Sequence, residues 1–469
     1  MIEHLAEGRD RRTKIVATIG PATSTEEGLT ALLQAGMDVA RLNFSHGTPE
    51  EHVETMRRLR RLAEALRVPL AILQDLAGPK VRIGAFADGT VELQAGAPFT
   101  LTTRPIMGTP EAVSVSYPRL PEAVAPGDRL LLADGVVELR VQAVEGSEIR
   151  CTVVSGGALS ARKGVNVPSG LPGLPILDEQ DLRDLRVGLR HGVDYVGLSF
   201  VRTAEDVRTA KREMAGLGGD APVIAKIETR SALDHLDEIL TEADGVMVAR
   251  GDLSLETAFT RVPIVQKAVI AEANRRAKPA ITATQMLYSM VVSPTPTRAE
   301  VADVANAIVD GSDAVMLSEE TAVGRHPVRA VETMAAIAAD TDRAGLRRAE
   351  GSLDAAGPPR TSHEAVVEAA CRLAARLEVA VIATITRDGE TARLAAKYRP
   401  RQPILAVTPH IATFRRLALV RGVLPVLLPA SEEAPEAMLA AARAVTHERG
   451  WAGRLGVFVA RDLVRCLTV

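Results

Sequence analysis

The residues of this chain best placed to do chemistry fall in Val223–Leu253, which reads VIAKIE, a polar amphipathic run, then DGVMVARGDL. Lys226 and Glu228 stand two apart in an apolar, β-branched run, so on a strand they share one face. Arg250 and Asp252 close a second such run, with about fifteen residues of helical pattern between the two. That is the pattern of two parallel strands joined by a helix. A buried cation beside two carboxylates is costly unless the groups pair or hold a metal. A purely structural ion pair is the plain reading. A site for a phosphate and a divalent metal is the better one, because α/β folds place ligands at parallel strand ends.

The same unit, an apolar run ending in polar residues and then an amphipathic helix, recurs along the chain. The runs are KIVATIG (14–20), DVARLNF (38–44), PLAILQDL (69–76), DYVGLSF (194–200), PVIAKIE (222–228), DGVMVARGD (244–252), PAITATQM (279–286) and DAVMLSEE (313–320). Their polar ends, from Thr18 through Asn43, Asp75, Ser199, Glu228, Asp252 and Thr284 to Ser318, are 25, 32, 124, 29, 24, 32 and 34 residues apart. Eight units at this spacing predict an α/β fold of the (β/α)8 TIM-barrel type, with a doubly wound sheet as the alternative. The interval of 124 marks an insertion after the third strand. Its texture alternates with period two between Gly- and Pro-rich turns (TVELQAG, PFTLTT, VSVSY, IRCTVVS), which predicts an antiparallel β lid over the strand ends. Beyond a polar linker at 343–363, further strands (VAVIATIT, QPILAVT, VLPVLL, GRLGVFVA) alternate with helices and predict a separate C-terminal α/β domain with its own parallel sheet. The expected division is barrel at 1–79 and 176–345, lid at 80–175 and C-terminal domain at 360–469.

Barrel enzymes carry their active residues at the C-terminal strand ends. Here those ends supply Arg41, Asn43, Ser45 and His46, then Asp75 with Lys80 and Arg82 just beyond it. Lys226, Glu228, Gly251, Asp252, Thr284, Ser318 and Glu320 complete the circle. Cations for an anionic substrate, carboxylates suited to Mg²⁺ and hydroxyls able to relay protons are what phosphoryl transfer requires. Ser318 and Glu320 are equally well read as a helix cap, and His46 as a local hydrogen-bonding residue.

Composition sets outer bounds. Hydrophobic content of 46% with 25% charged residues describes a globular protein, and a net charge of −3 gives no electrostatic case for nucleic acid or an acidic membrane. No apolar run reaches transmembrane length, and MIEHLAEGRDRR is not a secretory signal. Cys151, Cys371 and Cys466 are odd in number and widely spaced, which fits a reducing cytoplasm. Of 56 basic residues only 8 are lysine, so each lysine hints that an ammonium is wanted there.

The strings TKIVATIGPAT, GMDVARLNFSHG, LQDLAGPKVRIG, KGVNVP, IAKIET, DGVMVARGDL, ATQML, PTPTRAEVADVANAIVDGSDAVMLSEETAVG and AAKYRPRQPILAVTP follow one another in order. With them the chain resembles the pyruvate kinase family over essentially its whole length. The resemblance implies barrel, β lid and C-terminal effector domain, a homotetramer, and transfer of the phosphoryl group of phosphoenolpyruvate to ADP. It implies that Lys226 stabilises the phosphoryl group in flight and that Glu228 and Asp252 hold Mg²⁺ (or Mn²⁺). Gly251–Asp252 would receive the substrate carboxylate and Arg41 the phosphate. Arg82 and Lys163 would face the nucleotide, with Asp134 a weaker candidate. Thr284 would lie near the enolate carbon, with Ser318 and Glu320 supplying its proton through water.

Three departures from the family pattern carry expectations of their own. The usual DTKGPEIR is here DLAGPKVR, which changes Leu76, Ala77 and Lys80. Family members with Glu at position 80 hold K⁺ near the matches of Asn43, Ser45, Asp75 and Leu76, so Lys80 implies activity without K⁺. Second, Tyr288 and LSLETAF replace more usual residues beside the site. Third, the effector motif T-x-S-G-x-T-A is here Thr386-Arg387-Asp388-Gly389-Glu390-Thr391-Ala392, and Gly456–Ala460 runs straight into Arg461-Asp462-Leu463-Val464 without a Gly-rich loop. That implies no activation by fructose 1,6-bisphosphate. The rival readings are another barrel enzyme acting on phosphoenolpyruvate, such as an aldolase or mutase, and a catalytically silent metabolite sensor. The first would not need a lid carrying Lys163, and the intact Lys226–Glu228–Asp252–Thr284 set argues against the second.

Overall fold

A computed structural model describes residues 11–168, 170–171, 173–345, 357–428, 435–448, 450–451, 453–460 and 463–468. All eight predicted runs form strands, and these close a parallel barrel: Lys14–Ile19, Val39–Asn43, Ala71–Asp75, Tyr195–Leu198, Val223–Ile227, Gly245–Ala249, Ala280–Ala283 and Ala314–Leu317. The first strand pairs with the last, Lys14 opposite Ala314. The alternation of strand side chains explains both core and site. Val16, Val39, Leu73, Ile224, Met247, Ile281 and Met316 form one cluster in the barrel lumen. Two residues further along each strand the same inward face carries Thr18, Arg41, Asp75 and Lys226. Intervening residues such as Ile15, Ala40, Ile72, Ala225 and Val248 belong to the larger core shared with the surrounding helices.

The lid leaves after Asp75 and returns at the helix Glu179–Arg190. It holds a six-stranded sheet, a separate two-stranded ribbon and its own core around Phe99, Leu101, Val113, Leu130 and Leu139. The expectation of an antiparallel sheet needs one correction: Pro98–Thr102 and Ala112–Ser114 pair in parallel. The run RLLLADGVVELRVQAV is two strands, broken where Ala133, Asp134 and Gly135 all take positive φ. At the hinge, Asp181 in the first turn of the returning helix accepts a hydrogen bond from the Gly78 N–H at 3.1 Å, tying the two ends of the insertion together. Gly78 has φ +70°, and a Cβ there would meet Ser199 and Phe200 within 3.0 Å. Only glycine fits.

The C-terminal domain is a five-stranded sheet. Four strands are parallel as expected. The fifth, Leu463–Thr468, is antiparallel to Leu455–Ala460 and corrects the expectation of a parallel sheet. This domain also completes the barrel. Its short turn Leu417–Leu419 places Ala418 and Leu419 in the lumen cluster, closing the floor opposite the site. Around that plug, Tyr195 Oη donates to the Arg416 carbonyl at 2.7 Å, Lys14 Nζ donates to the Val423 carbonyl at 2.8 Å, and Arg399 pairs with Asp313.

Candidate active site

Lys226 lies at the centre of the open barrel end. Its ammonium is 3.0 Å from Glu228 Oε1 and 3.2 Å from Asp75 Oδ1, and it donates to Ser199 Oγ at 2.7 Å. Burial disfavours the charged amine, but Asp75 and Glu228 outweigh it and raise its pKa, so Lys226 stays an ammonium. Burial would likewise raise Asp75, yet Lys226 and Arg41 hold its carboxyl below the ordinary range. Arg41 donates from Nε to Asp75 Oδ2 at 2.6 Å and from Nη1 to Thr18 Oγ1 at 2.9 Å. Nη2 is left for an incoming anion.

Glu228 is 1% exposed. Besides Lys226 it accepts the Phe200 N–H at 2.7 Å, on a backbone turned to φ +57°. Burial, and the nearby charge of Asp252, push its pKa up. Asp252 sits in the first turn of the helix Arg250–Glu256 rather than on a strand, half-buried. Among the described residues no cluster of three or more metal-ligating side chains forms. Two hard-oxygen carboxylates, one of them destabilised by the charge of the other, would suit a divalent cation.

Thr284 and Gln285 take φ +72° and +56°, a strained conformation for a β-branched residue. The strain is held by Arg250, whose guanidinium donates to the carbonyls of Thr284 (2.7 Å) and Ala283 (3.2 Å) and pairs with Asp303. Thr284 Oγ1 accepts the Gly251 N–H at 3.3 Å. Glu320 is 1% exposed, and its two oxygens accept the N–H groups of Leu287 (3.1 Å) and Ser318 (2.7 Å). It is thereby a brace joining two loops, while the Ser318 side chain stays partly exposed.

The lid candidates lie side by side at the hinge. Arg82 bridges to Gly164, and the Lys163 carbonyl accepts the Ile83 N–H, so the exposed side chains of Arg82 and Lys163 sit on adjoining segments. Lys80 is placed differently from the expectation of an ammonium beside Asp75: it turns to the lid, 3.7 Å from Asp134 Oδ1 and against Gly164. In the expected monovalent-cation pocket, Asn43 Oδ1 accepts the Ser45 N–H at 3.2 Å, and the Leu76 carbonyl accepts Ser199 Oγ at 2.7 Å. Asp75 is taken by Arg41 and Lys226. His46 contributes its carbonyl to His52 Nε2, a local contact.

Sequence reasoning did not single out Ser199, Phe200 and Arg250 as site residues. Ser199 and Arg250 stand at the ends of apolar runs, and that is the signal the sequence offers. Nothing in the sequence shows that Phe200 acts through its backbone.

Fold and site together define a (β/α)8-barrel enzyme with an inserted β domain and a cluster of cations and carboxylates at the strand ends. Family models described as "Pyruvate kinase, barrel domain" and "Pyruvate kinase, alpha/beta domain" match residues 10–331 and 364–463. The chain is 48% identical over 422 residues to pyruvate kinase 2 of Synechocystis, covering 89% of this chain and 71% of the relative. It is 44% identical to the pyruvate kinase of Thermococcus litoralis, covering 88% of each. A solved pyruvate kinase structure from Cryptosporidium parvum superposes with a TM-score of 0.93 at 36% identity, covering 98% of this chain and 96% of that one. The chain belongs to the pyruvate kinase family.

Proposed function

We propose that this chain catalyses Mg²⁺-dependent transfer of the phosphoryl group of phosphoenolpyruvate to ADP, giving ATP and pyruvate. The observation that carries the reading is the Lys226 ammonium, held charged between Asp75 and Glu228 and next to Arg41 with a free guanidinium edge. Lys226 and Arg41 bind the phosphate and stabilise the negative charge on its equatorial oxygens as the transfer proceeds. Glu228 and Asp252 hold the divalent cation, which supplies further neutralisation of substrate oxygens when bound. The Asp252 N–H receives the substrate carboxylate, since the Gly251 N–H is engaged by Thr284. Arg82 and Lys163 bring the lid's positive charge to the nucleotide. Thr284 and Ser318 carry the hydroxyls from which a proton reaches the enolate carbon, and Glu320 fixes the loops that bear them. A coupled assay for ADP-dependent pyruvate formation tests the reading; absence of product with Mg²⁺ present refutes it.

Three finer readings belong to the same proposal. Activity does not require K⁺, because the pocket's Asn43, Asp75 and Leu76 oxygens already accept protein donors and Leu76 lacks a hydroxyl. Fructose 1,6-bisphosphate does not activate, because Asp388 Oδ1 takes the Glu390 N–H at 2.9 Å and Thr386 Oγ1 takes the Gly389 N–H at 2.9 Å. The anion cradle at the helix Glu390–Lys397 is filled by the chain itself. The pairing of Ala460 with Leu463 leaves two positions where a loop would stand, although Arg461 and Asp462 lie outside the described residues. The working form is a homotetramer in the cytoplasm. Exposed Phe259, Ile264, Tyr288, Val292 and Val323 on the barrel supply apolar surface for association. Free cysteines suit a reducing compartment, and among the described residues no helix is long and apolar enough to cross a membrane.

A further inference from the structure

A cleft of about 360 Å³ opens between two of the helices that surround the barrel, Pro49–Ala65 and Glu179–Arg190. The first helix contributes Glu50, Val53 and Arg57, a single stripe at i, i+3 and i+7. The second contributes Arg186, Val187 and Arg190, with His191 closing its end. Val53 and Val187 are half-buried and give the cleft an apolar strip, while the three arginines are exposed. No residue of the strand-end cluster lines it.

The pairing of charges on these helices is uneven. Between them they carry Arg57, Arg58, Arg60, Arg61, Arg183, Arg186 and Arg190. Arg58 pairs with Glu54 at 2.9 Å, Arg60 with Asp194 at 2.6 Å, Arg61 with Glu26 at 2.5 Å and Arg183 with Glu179 at 3.7 Å. The arginines left over are Arg57, Arg186 and Arg190, the ones that line the cleft, and among the described residues none of them forms an ion pair. The carboxylates nearby are already engaged. Glu51 accepts the Thr48 N–H at the start of its own helix, and Asp184 accepts from Gln180. Only Glu50 adds a negative charge to the walls. Three guanidiniums therefore face one carboxylate, and Arg186 and Arg190, one helical turn apart, repel each other. An anion between them relieves that repulsion.

From this arrangement we infer that the cleft between the two helices binds a small phosphorylated molecule carrying at least two negative charges. Its phosphate oxygens meet Arg57, Arg186 and Arg190, and its apolar part rests on Val53 and Val187. Guanidinium forks match phosphate oxygens two at a time, and a concave volume of this size suits a small molecule. The site uses no group of the proposed phosphoryl transfer, so it stands whether or not that reaction is correct.

The test is equilibrium dialysis of the full chain against radiolabelled inorganic pyrophosphate, without divalent metal and at an ionic strength fixed by NaCl. Three chains are compared: the wild type, Arg186→Gln/Arg190→Gln, and Arg61→Gln/Arg183→Gln. The last removes the same charge from paired positions on the same two helices. The wild type should bind one more pyrophosphate per chain than Arg186→Gln/Arg190→Gln, whose affinity at that site falls about tenfold or more. Arg61→Gln/Arg183→Gln should bind as the wild type does. Pyrophosphate held at the strand ends is common to all three chains and cancels in the comparison. Two results overturn the proposal: identical curves for the wild type and Arg186→Gln/Arg190→Gln up to millimolar pyrophosphate, or an equal loss in Arg61→Gln/Arg183→Gln, which would mean diffuse charge attraction only. All four substitutions fall at exposed helix positions, and glutamine is a good helix former, so both variants keep the fold; matching melting curves check this.

Discussion

Arg250 Nη2 donates to the Thr284 carbonyl at 2.7 Å, clamping a β-branched residue at φ +72°. The hydroxyl proposed to serve the enolate is aimed by a side chain on the preceding strand-to-helix turn. Arg250→Lys keeps the charge but loses the fork that spans both carbonyls. We expect kcat to fall about tenfold or more with KM for phosphoenolpyruvate nearly unchanged, as for an interaction made in the transition state. Enolate protonation, followed by exchange of solvent hydrogen into pyruvate, should slow by the same factor. A variant that raises KM alone would place Arg250 in substrate binding.

Lys226→Met removes the ammonium from a site whose two carboxylates, Asp75 and Glu228, are each 1% exposed. Turnover should drop by about 10³-fold or more. The variant should also be less stable in the absence of metal, by about 3–5 kcal/mol if the charges are left uncompensated. Added Mg²⁺ should recover part of that loss through Glu228 and Asp252. Melting curves with and without MgCl₂ check the second half, and near-wild-type turnover would remove Lys226 from the mechanism.

Assays in tetramethylammonium chloride and in KCl at equal ionic strength should give equal rates. A large K⁺ activation of the unaltered chain would show that the oxygens of Asn43, Asp75 and Leu76 exchange their protein donors for the ion.

Phosphoenolpyruvate saturation curves should superimpose with and without millimolar fructose 1,6-bisphosphate. Asp388 and Glu390 add two carboxylates at the start of the helix Glu390–Lys397, and negative charge there repels a phosphate. A clear leftward shift would mean that the sugar phosphate displaces Asp388 from the Glu390 N–H.

Burial raises the Asp181 carboxyl to about 6, despite the N–H groups of Asp178 and Gly78 that it accepts. Because the folded-state value is the higher one, this contribution to stability is complete below the unfolded value of about 3.9. It is lost progressively as pH rises to about 6, then stays absent. In denaturant titrations between pH 4 and 7, Asp181→Asn should lack that loss, so wild type minus variant falls with rising pH. A difference that does not change with pH would show that Asp181 ionises as freely as in the unfolded chain.

The barrel and the centre of the site were legible because both follow from alternation along short β-branched runs. Parity puts Ile224 in the lumen, Lys226 above it and Glu228 at the rim, whatever surrounds them. What stayed hidden depends on contacts distant in sequence. Lys80 follows the third strand, yet its partner Asp134 lies across the lid. Glu320 offers a carboxylate to the reaction on paper, but Leu287 and Ser318 use both its oxygens. The short strand Ala112–Ser114 carries no directional signal, so its parallel pairing was not readable. Arg250 ends a strand like many arginines in an arginine-rich chain, and only the unusual backbone of Thr284 shows why it is there.

The plug formed by Ala418 and Leu419 has a meaning for synthesis. The last barrel strand ends at Leu317, and the residues that seal the barrel's floor emerge from the ribosome roughly a hundred residues later, about 5–20 s at ordinary elongation rates. During that interval the nascent barrel has an unsealed apolar lumen. Chaperone capture should therefore peak while the linker and early C-terminal domain are being made, and a stop codon placed before Leu417 should yield a chain that aggregates rather than a working barrel.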